Sequence, residues 1–325
     1  MILTVTVNAS LDKTYSVPGF APGRDVKARR VVLSPGGKGL NVACVARALG
    51  ADVMASGVVA GHTGRHILDL LDRRGVRSDF VFGRGESRSC HIIVEPSTGV
   101  LSQIREPGPR LGPAVRRALV DKLRHLAGPD RIVVCSGSVP GGLGSDVYRE
   151  LVTVARTAGS RVILDASGEA LALGLEAGPE LIKPNQEELA DLAARLRLPE
   201  PPKASGADGE EVRRWAGRVS EAVRRRYPVA VVVASLGSAG AVVAAPGGLW
   251  AAVPPPVDAV NTVSCGDALV AGIATGWQRS WPLADSVRLG VAAAAAKATR
   301  FETGRVDPGL VEHLRSMIEW RPVFL

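Results

Sequence analysis

The chain has 325 residues, 46% of them hydrophobic, and a formal net charge of +8. This composition suffices for a large buried core, and no apolar run approaches the roughly 20 residues that a membrane span requires, so we expect no membrane partner. Aromatic residues make up only 4% of the chain and the arginines are scattered over polar helix faces, which argues against a nucleic-acid surface built on base stacking.

The cysteines and the first residues bear on the cellular compartment. No two cysteines have zinc-ligand spacing, which favours reduced thiols. The opening segment MILTVTVNASLD reads as a buried strand and contains no charged leader or cleavage site. We therefore expect a cytoplasmic protein.

Two segments near the start of the chain predict a small β lid. Asp12 follows the first strand, at the sheet edge where ligands bind in open α/β folds. Residues of about 10–35 and 88–106 alternate weakly in polarity and are interrupted by Pro and Gly. Arg88 and Arg105 lie near the ends of the second segment, where each could be solvated or could bind an anionic substrate group.

Between these segments, the run Gly36-Gly37-Lys38-Gly39 precedes a helix that extends to about Leu49. Glycines let the backbone approach a ligand closely, and a lysine can neutralise a phosphate. Asn41, one turn into the helix, can hydrogen-bond hydroxyl groups. The run is not a Walker A loop, and a plain turn is the alternative.

The rest of the chain alternates strands and helices, which predicts an α/β fold with a mainly parallel sheet. Predicted strands are 53–59, 132–135, 162–164 and 229–234, with a hairpin over 242–253 at the sheet edge. Predicted helices are 64–74, 112–127, 145–158, 186–197, 210–226 and 283–301. Residues 199–209 are predicted to form a polar surface loop. We expect one α/β domain over residues 1–325.

The run Lys183-Pro184-Asn185-Gln186-Glu187-Glu188 has two interpretations. Pro184 disfavours helix at Lys183, so Asn185 can cap the following helix, with Glu188 completing a capping box. Alternatively, Asn185 and Glu188 face magnesium, directly or through water.

A second dense run, Ser264-Cys265-Gly266-Asp267, joins a polar segment to a helix. The first N–H groups of a helix lack internal partners and carry partial positive charge, so this junction suits a phosphate or a developing anion. Asp267 could cap the helix, or it could accept a proton from an attacking hydroxyl. A helix start also favours a reactive thiol of low pKa at Cys265.

Taken together, these runs resemble the ribokinase-like (phosphofructokinase B) sugar kinases from Met1 to about Gly304. The runs that carry the resemblance are NASLD, GGKGLNVA, RSC, SGSVP, LDASGEAL, KPNQEEL, SLGSAGA and NTVSCGDALVAG. The GGKG form and the run EPGP, Glu106 to Pro109, are most similar to the 1-phosphofructokinase and tagatose-6-phosphate kinase branch. The resemblance implies a three-layer sandwich with a small β-sheet lid.

The resemblance also implies a role for each matching residue. Asp267 would be the catalytic base, and the backbone of Ser264, Cys265 and Gly266 would form the anion hole. The remaining implied roles are sugar hydroxyl binding by Asp12, Gly37 and Asn41, sugar phosphate binding by Lys38 and Arg88, binding of ATP phosphates and Mg²⁺ by Lys183, Asn185 and Glu188, and nucleotide contact by Ser235, Gly237 and Gly240.

Two positions depart from the family pattern. Ser264 replaces a usual glycine, and a positive φ there would cost about 1 kcal/mol. Arg105 stands where the branch often has Asn, so the resemblance does not fix the identity of the sugar.

The function expected from the resemblance is ATP-dependent phosphorylation of a phosphorylated ketohexose, of the fructose 1-phosphate or tagatose 6-phosphate type, by a homodimer joined through the lid. The alternatives are a kinase of an unphosphorylated sugar or nucleoside, and a non-catalytic regulatory or nucleic-acid-binding protein with this fold.

Overall fold

The computed structural model describes residues 1–202 and 209–325, which form a large sheet, a small sheet and flanking helices. The strands are β1 Ile2–Thr6, β2 Ser10–Ser16, β3 Arg30–Gly36, β4 Val53–Ala60, β5 Arg77–Gly83, β6 Arg88–Val94, β7 Leu101–Arg105, β8 Ile132–Ser136, β9 Arg161–Asp165, β10 Leu181–Ile182, β11 Val231–Ser235, β12 Ala241–Ala245, β13 Gly248–Val253 and β14 Glu319–Pro322. The helices are α1 Lys38–Ala48, α2 Gly61–Arg73, α3 Pro113–Leu126, α4 Val147–Thr157, α5 Gly168–Glu176, α6 Gln186–Arg195, α7 Gly209–Arg226, α8 Cys265–Gln278, α9 Leu283–Ala298 and α10 Pro308–Ser316.

The large sheet has the strand order β14-β13-β12-β11-β10-β9-β8-β1-β4-β5. All pairs from β11 to β5 are parallel, and the three pairs from β14 to β11 are antiparallel. The predicted mainly parallel sheet is therefore confirmed. Because the parallel strands end at the same edge, the loops after β1, β9 and β11 approach one another there.

Two hydrophobic cores lie on opposite faces of this sheet. Successive residues of a strand point to opposite faces, and Ile2 and Leu3 accordingly belong to different cores. One core contains residues of α1, α2, α8, α9 and α10, and the other contains residues of α3 to α7. The molecule thus has the three layers that the resemblance implied.

The small sheet has the order β3-β2-β6-β7, so both predicted lid segments contribute two strands each. Its central pair, β2 and β6, is parallel, and the outer pairs are antiparallel. Asp12 lies opposite Ser34 and Cys90, and Cys90 lies opposite Arg105. Asp12 and Arg105 therefore share one face of the lid.

Several details differ from the sequence expectations. The hairpin of β12 and β13 was expected at the sheet edge. The edge strand is instead β14, which pairs with β13. The β-prone segment 258–263 forms no strand. Most of the predicted surface loop at 199–209 lies outside the described residues. Within the described part of the chain, no helix is long and apolar enough to cross a membrane.

Candidate active site

Helix α8 begins with a left-handed residue at the edge of the sheet. Ser264 has φ 68° and ψ 10°, so the positive φ considered from the sequence is present. The strain of about 1 kcal/mol for a non-glycine residue is opposed by a hydrogen bond in which Gly304 N donates to Ser264 Oγ over 3.0 Å. The serine thus keeps the turn that a glycine would make.

Asp267, in the first turn of α8, is a buried carboxylate with 6% of its surface exposed. Asn41 Nδ2 donates to Asp267 Oδ2 over 2.8 Å, and no side chain caps the described start of this helix. Burial raises the pKa of Asp267 to about 7, the nearby Asp165 carboxylate adds to this, and Lys38 and Asn41 oppose it. A carboxylate with such a pKa is suited to accept a proton near neutral pH.

A cluster of two lysines and two carboxylates lies next to Asp267. Lys38 Nζ donates to Asp165 Oδ1 over 2.9 Å and to Glu188 Oε1 over 3.1 Å. Lys183 Nζ lies 3.4 Å from the same Asp165 oxygen. The carboxylates hold the pKa of Lys38 well above its usual value, although burial opposes this.

This cluster changes the interpretation of Lys38. The sequence placed its ammonium against the sugar phosphate, whereas the structure places it between two carboxylates. These contacts favour a role in orienting Asp165 and Glu188. Asp165 was absent from the predicted site, although it stands directly at the end of β9, where a ligand-binding side chain is expected.

The capping box predicted at the start of α6 is present. Glu188 N donates to Asn185 Oδ1 over 2.8 Å, and Asn185 N donates to Glu188 Oε2 over 2.9 Å. Asn185 and Glu188 nevertheless both line the cavity in front of Asp267. Helix capping and ligand binding are thus compatible at this position.

That cavity, here called the sugar cavity, has a volume of about 550 Å³. Its lining brings together the predicted sugar-binding residues Asp12, Gly37, Lys38, Asn41 and Arg88, together with Lys183, Ser264, Gly266 and Asp267.

The glycines of the GGKG run let the backbone approach the sugar cavity. A Cβ atom at Gly36 would lie 1.9 Å from Asp12 Oδ1, and Gly37 has φ 98°. The buried Asp12 carboxylate also accepts a hydrogen bond from Ser10 Oγ over 2.8 Å, and burial raises its pKa. Gly36 is therefore required by the space that Asp12 occupies.

Two arginines line the sugar cavity from the lid. Arg88 donates to the backbone oxygens of Asn8 and Glu106, each over 3.3 Å, and Arg105 Nε donates to Gln103 Oε1 over 3.0 Å. Among the described residues, neither guanidinium forms an ion pair with a carboxylate. Burial raises the pKa of the Asp12 carboxylate in the same cavity, and both arginines oppose this rise. Arg105 therefore belongs to the site, although the sequence left its role open.

A second cavity of about 880 Å³, here called the nucleotide cavity, lies on the other side of the α8 start. Ser235, Gly237 and Gly240, for which the resemblance implied nucleotide contact, line it, and apolar residues of α9 form another wall. The residues that line both cavities are Asn185, Ser235, Thr262 and Gly266. The two cavities therefore meet at the N-terminus of α8.

The prediction of a low thiol pKa at Cys265 is wrong. Burial raises the pKa of this thiol to about 11, and the Asp267 carboxylate adds to the rise, while Lys297 opposes it. The partial charge of a helix start is too small to offset this desolvation. All four cysteines are free, and Cys265 is the least buried of them. Cys265 is one of the residues that line the nucleotide cavity.

The oxygen atoms beside Asp267 include candidate ligands for a metal ion. No group of three or more His, Cys, Asp or Glu side chains among residues 1–202 and 209–325 could hold a metal alone. Asp165 Oδ2, however, is a buried acceptor without a hydrogen-bond partner. Oxygen ligands of this kind fit a hydrated Mg²⁺ that also binds substrate phosphates.

Comparison with known proteins identifies the family. The model of the pfkB family carbohydrate kinases matches residues 6–308. The chain belongs to this family. Among pfkB relatives, the ATP-dependent 6-phosphofructokinase isozyme 2 of Mycobacterium tuberculosis H37Rv is 34% identical over 295 residues, 91% of this chain and 83% of that protein. The 1-phosphofructokinase of Rhodobacter capsulatus is 33% identical over 293 residues, 90% of this chain and 88% of that protein.

Solved structures of pfkB-type proteins show the same fold. Phosphofructokinase-2 from Escherichia coli in complex with fructose-6-phosphate superposes with a TM-score of 0.85 at 28% identity, over 97% of this chain and 98% of that one. Ribokinase from Thermotoga maritima gives a TM-score of 0.73 at 19% identity, over 97% and 99% of the two chains. This pfkB-family chain is an ATP-dependent sugar kinase.

Proposed function

We propose that this kinase transfers the terminal phosphoryl group of ATP to a hydroxyl of a phosphorylated ketohexose in the cytoplasm and releases a hexose bisphosphate. Candidate acceptors are fructose 1-phosphate and tagatose 6-phosphate, and the named relatives add fructose 6-phosphate. The observation that carries the proposal is the pair of arginines, Arg88 and Arg105, that lines the sugar cavity and forms no ion pair with a carboxylate in the described structure. In a site for a neutral sugar, these two cations would have the Asp12 carboxylate nearby, whose burial-raised pKa they lower, but no ion pair with any described carboxylate.

The geometry supports direct phosphoryl transfer between the two cavities. The sugar hydroxyl approaches Asp267, which accepts its proton as the new P–O bond forms. The backbone N–H groups at the start of α8 face negative charge on the transferring phosphoryl group. Lys183 adds a cation beside them, because a Cβ atom on Gly266 would lie 3.3 Å from Lys183 Nζ. Asp12 and Asn41 hold the sugar through its other hydroxyls.

The polar residues at the cavity junction fit a magnesium ion that accompanies ATP. Asn185, Glu188 and Asp165 would hold it, partly through water, and Lys38 would keep the two carboxylates in place. When bound, Mg²⁺ would offset negative charge on the ATP phosphates.

An ADP-release assay across sugars and their phosphates tests the proposed substrate class. We expect kcat/KM to be highest for a ketohexose monophosphate. Arg88→Gln and Arg105→Gln should each raise KM for that substrate by about tenfold or more, because a charged hydrogen bond to the substrate phosphate is lost. KM for ATP should stay near the parent value.

The control is Arg29→Gln, an exposed lid-flanking arginine, which should leave both KM values unchanged. A parent enzyme with higher kcat/KM for free fructose or a nucleoside than for every phosphate would overturn the proposed substrate class. If both cavity variants had the parent's KM for the sugar phosphate, the role assigned to the arginines would be wrong.

We also propose that the outer face of the lid joins two copies of the chain. Register places Leu33, Lys13, His91 and Ile104 in one row across the four strands, on the face opposite Asp12. Leu33 and Ile104 are 39% and 60% exposed. Exposed apolar side chains on the two outer strands of this face favour association. A related structure is the tetrameric inhibited form of phosphofructokinase-2 from Escherichia coli.

A further inference from the structure

Lys297, near the end of α9, is a fully buried lysine outside the two cavities. Its Nζ donates to Asn261 O over 2.8 Å and to Arg300 O over 3.4 Å. No carboxylate forms an ion pair with it in the described parts of the chain. Burying an ammonium against backbone oxygens alone is costly. A methionine of similar size would fill the same space without that cost, so packing does not explain the charge.

The oxygen that Lys297 binds belongs to the loop that leads into α8. Asn261 N donates to Ala298 O over 3.0 Å, and Asn261 Nδ2 donates to Phe301 O over 2.8 Å. Further along, Gly304 N donates to Ser264 Oγ over 3.0 Å. The end of α9 and the segment after it therefore hold the loop 261–264 at its first and last residues, and the ammonium binds the first of these.

Electrostatic contacts connect the same ammonium to the reacting end of α8. Burial lowers the pKa of Lys297 to about 8, while Cys265, Asp267 and Glu302 oppose this change. The side chain thus remains mostly charged at neutral pH. The ammonium attracts the carbonyl oxygen of Asn261. Because the C=O and N–H groups of a trans peptide point in opposite directions, the N–H group that follows this carbonyl points away from the lysine.

We propose that the Lys297 ammonium serves as a built-in monovalent cation that binds backbone carbonyls beneath the anion hole and thereby orients the loop 261–264 for phosphoryl transfer. Lys297 is then a positioning residue, since it acts through the loop and not on substrate. This role rests on the proposed function. It also implies that the parent enzyme needs no free monovalent cation, because the carbonyls that would bind one are occupied by the lysine.

The experiment compares two variants of the full chain. Lys297→Ala leaves a cavity beside the carbonyl oxygens, and Lys297→Met fills that cavity without charge. We expect kcat to fall by about tenfold or more in both variants, with KM for ATP within about threefold of the parent. Ammonium, methylammonium or potassium chloride should restore kcat at least several-fold in the alanine variant only. Choline chloride at equal ionic strength is the salt control.

A binding measurement without any sugar separates this inference from the proposed function. Potassium or ammonium should raise the melting temperature of Lys297→Ala relative to choline, because a ligand that binds only the folded state stabilises it. The parent and Lys297→Met should show no such difference. This result would stand even if the substrate class were wrong.

Three outcomes would overturn the role of Lys297. One is a parent enzyme whose kcat rises several-fold with potassium. Another is parent-like kcat in Lys297→Met. The third is a folded Lys297→Ala that no cation stabilises or reactivates. Should the alanine variant fail to fold, the methionine variant decides, because lost turnover with an intact melting transition supports positioning and retained turnover contradicts it.

Discussion

At the residue scale, the chemistry depends on the buried carboxylate of Asp267, which forms no ion pair with any described residue. Asp267→Asn keeps the shape and can still accept the hydrogen bond from Asn41 Nδ2, but it cannot accept the proton of the sugar hydroxyl. We expect kcat to fall by about 10²- to 10⁴-fold with KM for ATP little changed. In the parent, kcat/KM should decline below pH 7, because the pKa of Asp267 is raised to about 7. Steady-state kinetics from pH 5.5 to about 9 measure both effects.

The same variant has a predicted effect on stability. The folded-state pKa of Asp267 lies above its unfolded value of 3.8, so the folded protein binds the extra proton and loses stability as pH rises from about 4 to 7. Above pH 7 the ionised, buried carboxylate is at its most unfavourable. Asp267→Asn should therefore be more stable than the parent at pH 8 by about 1–3 kcal/mol, and the difference should shrink toward pH 5.

Denaturant unfolding at the two pH values tests this effect. A variant that is less stable than the parent at pH 8 would show that Asp267 supports the fold, and retained turnover would refute the general base.

Sequence reasoning at this scale located residues better than it assigned their contacts. The positive φ at Ser264 could be anticipated because a serine replaces a usual glycine there. The ion pairs of Lys38 could not, because its partners Asp165 and Glu188 come from distant strands and helices. For the same reason the desolvation of Cys265 was missed, since burial of a helix start depends on what packs over it.

At the scale of elements, the position of the anion hole depends on close packing of α8 against α9. A Cβ atom at Gly272 would lie 2.4 Å from Gly290 Cα, so the helices touch through backbone. Gly272→Ala should push them apart and destabilise the fold by about 2 kcal/mol or more. Because α9 lines the nucleotide cavity, KM for ATP should rise as well.

Gly112→Ala is the matched control, since a Cβ atom there meets nothing within 4 Å and its φ is −94°. Thermal unfolding and ATP kinetics of the two variants provide the comparison. Parent-like stability of Gly272→Ala would mean that the helices tolerate separation.

The elements missed from the sequence share a physical reason. Strand β10 has two residues, Leu181 and Ile182, too few to show any period. Strand β14 and helix α10 follow the region in which the motifs lie, and α5 begins inside the run LDASGEAL, which carries part of the resemblance and was assigned no helix. The long amphipathic helices and the buried strands β1, β4 and β8 were predicted within a few residues, because their periodicity reflects burial against the sheet.

At the scale of the whole molecule, the site forms where two cavities approach one helix start from opposite sides. The order of strands could not be read from the sequence, but the rule that ligands bind at the carboxyl edge of parallel strands predicted which loops would converge. The meeting of the cavities at Asn185, Ser235, Thr262 and Gly266 requires the structure, since these residues come from three segments that are distant in sequence.

The lid gives the last prediction, because one of its faces lines the sugar cavity and the other exposes apolar side chains. If the outer face joins two copies, the parent should sediment at micromolar concentration as a dimer of 33.9 kDa protomers. Leu33→Asp and Ile104→Asp should each shift the protein to monomer, because a buried carboxylate without a partner costs several kcal/mol. Sedimentation velocity measures the shift.

Val100→Asp is the control for this charge, since Val100 is 56% exposed but lies outside the lid strands. It should remain dimeric. Because Asp12 and the two arginines belong to the same sheet, the monomeric variants should also show a raised KM for the sugar phosphate and an unchanged KM for ATP. A monomeric parent would exclude the lid interface, and dimeric Leu33 and Ile104 variants would place the interface elsewhere on the molecule.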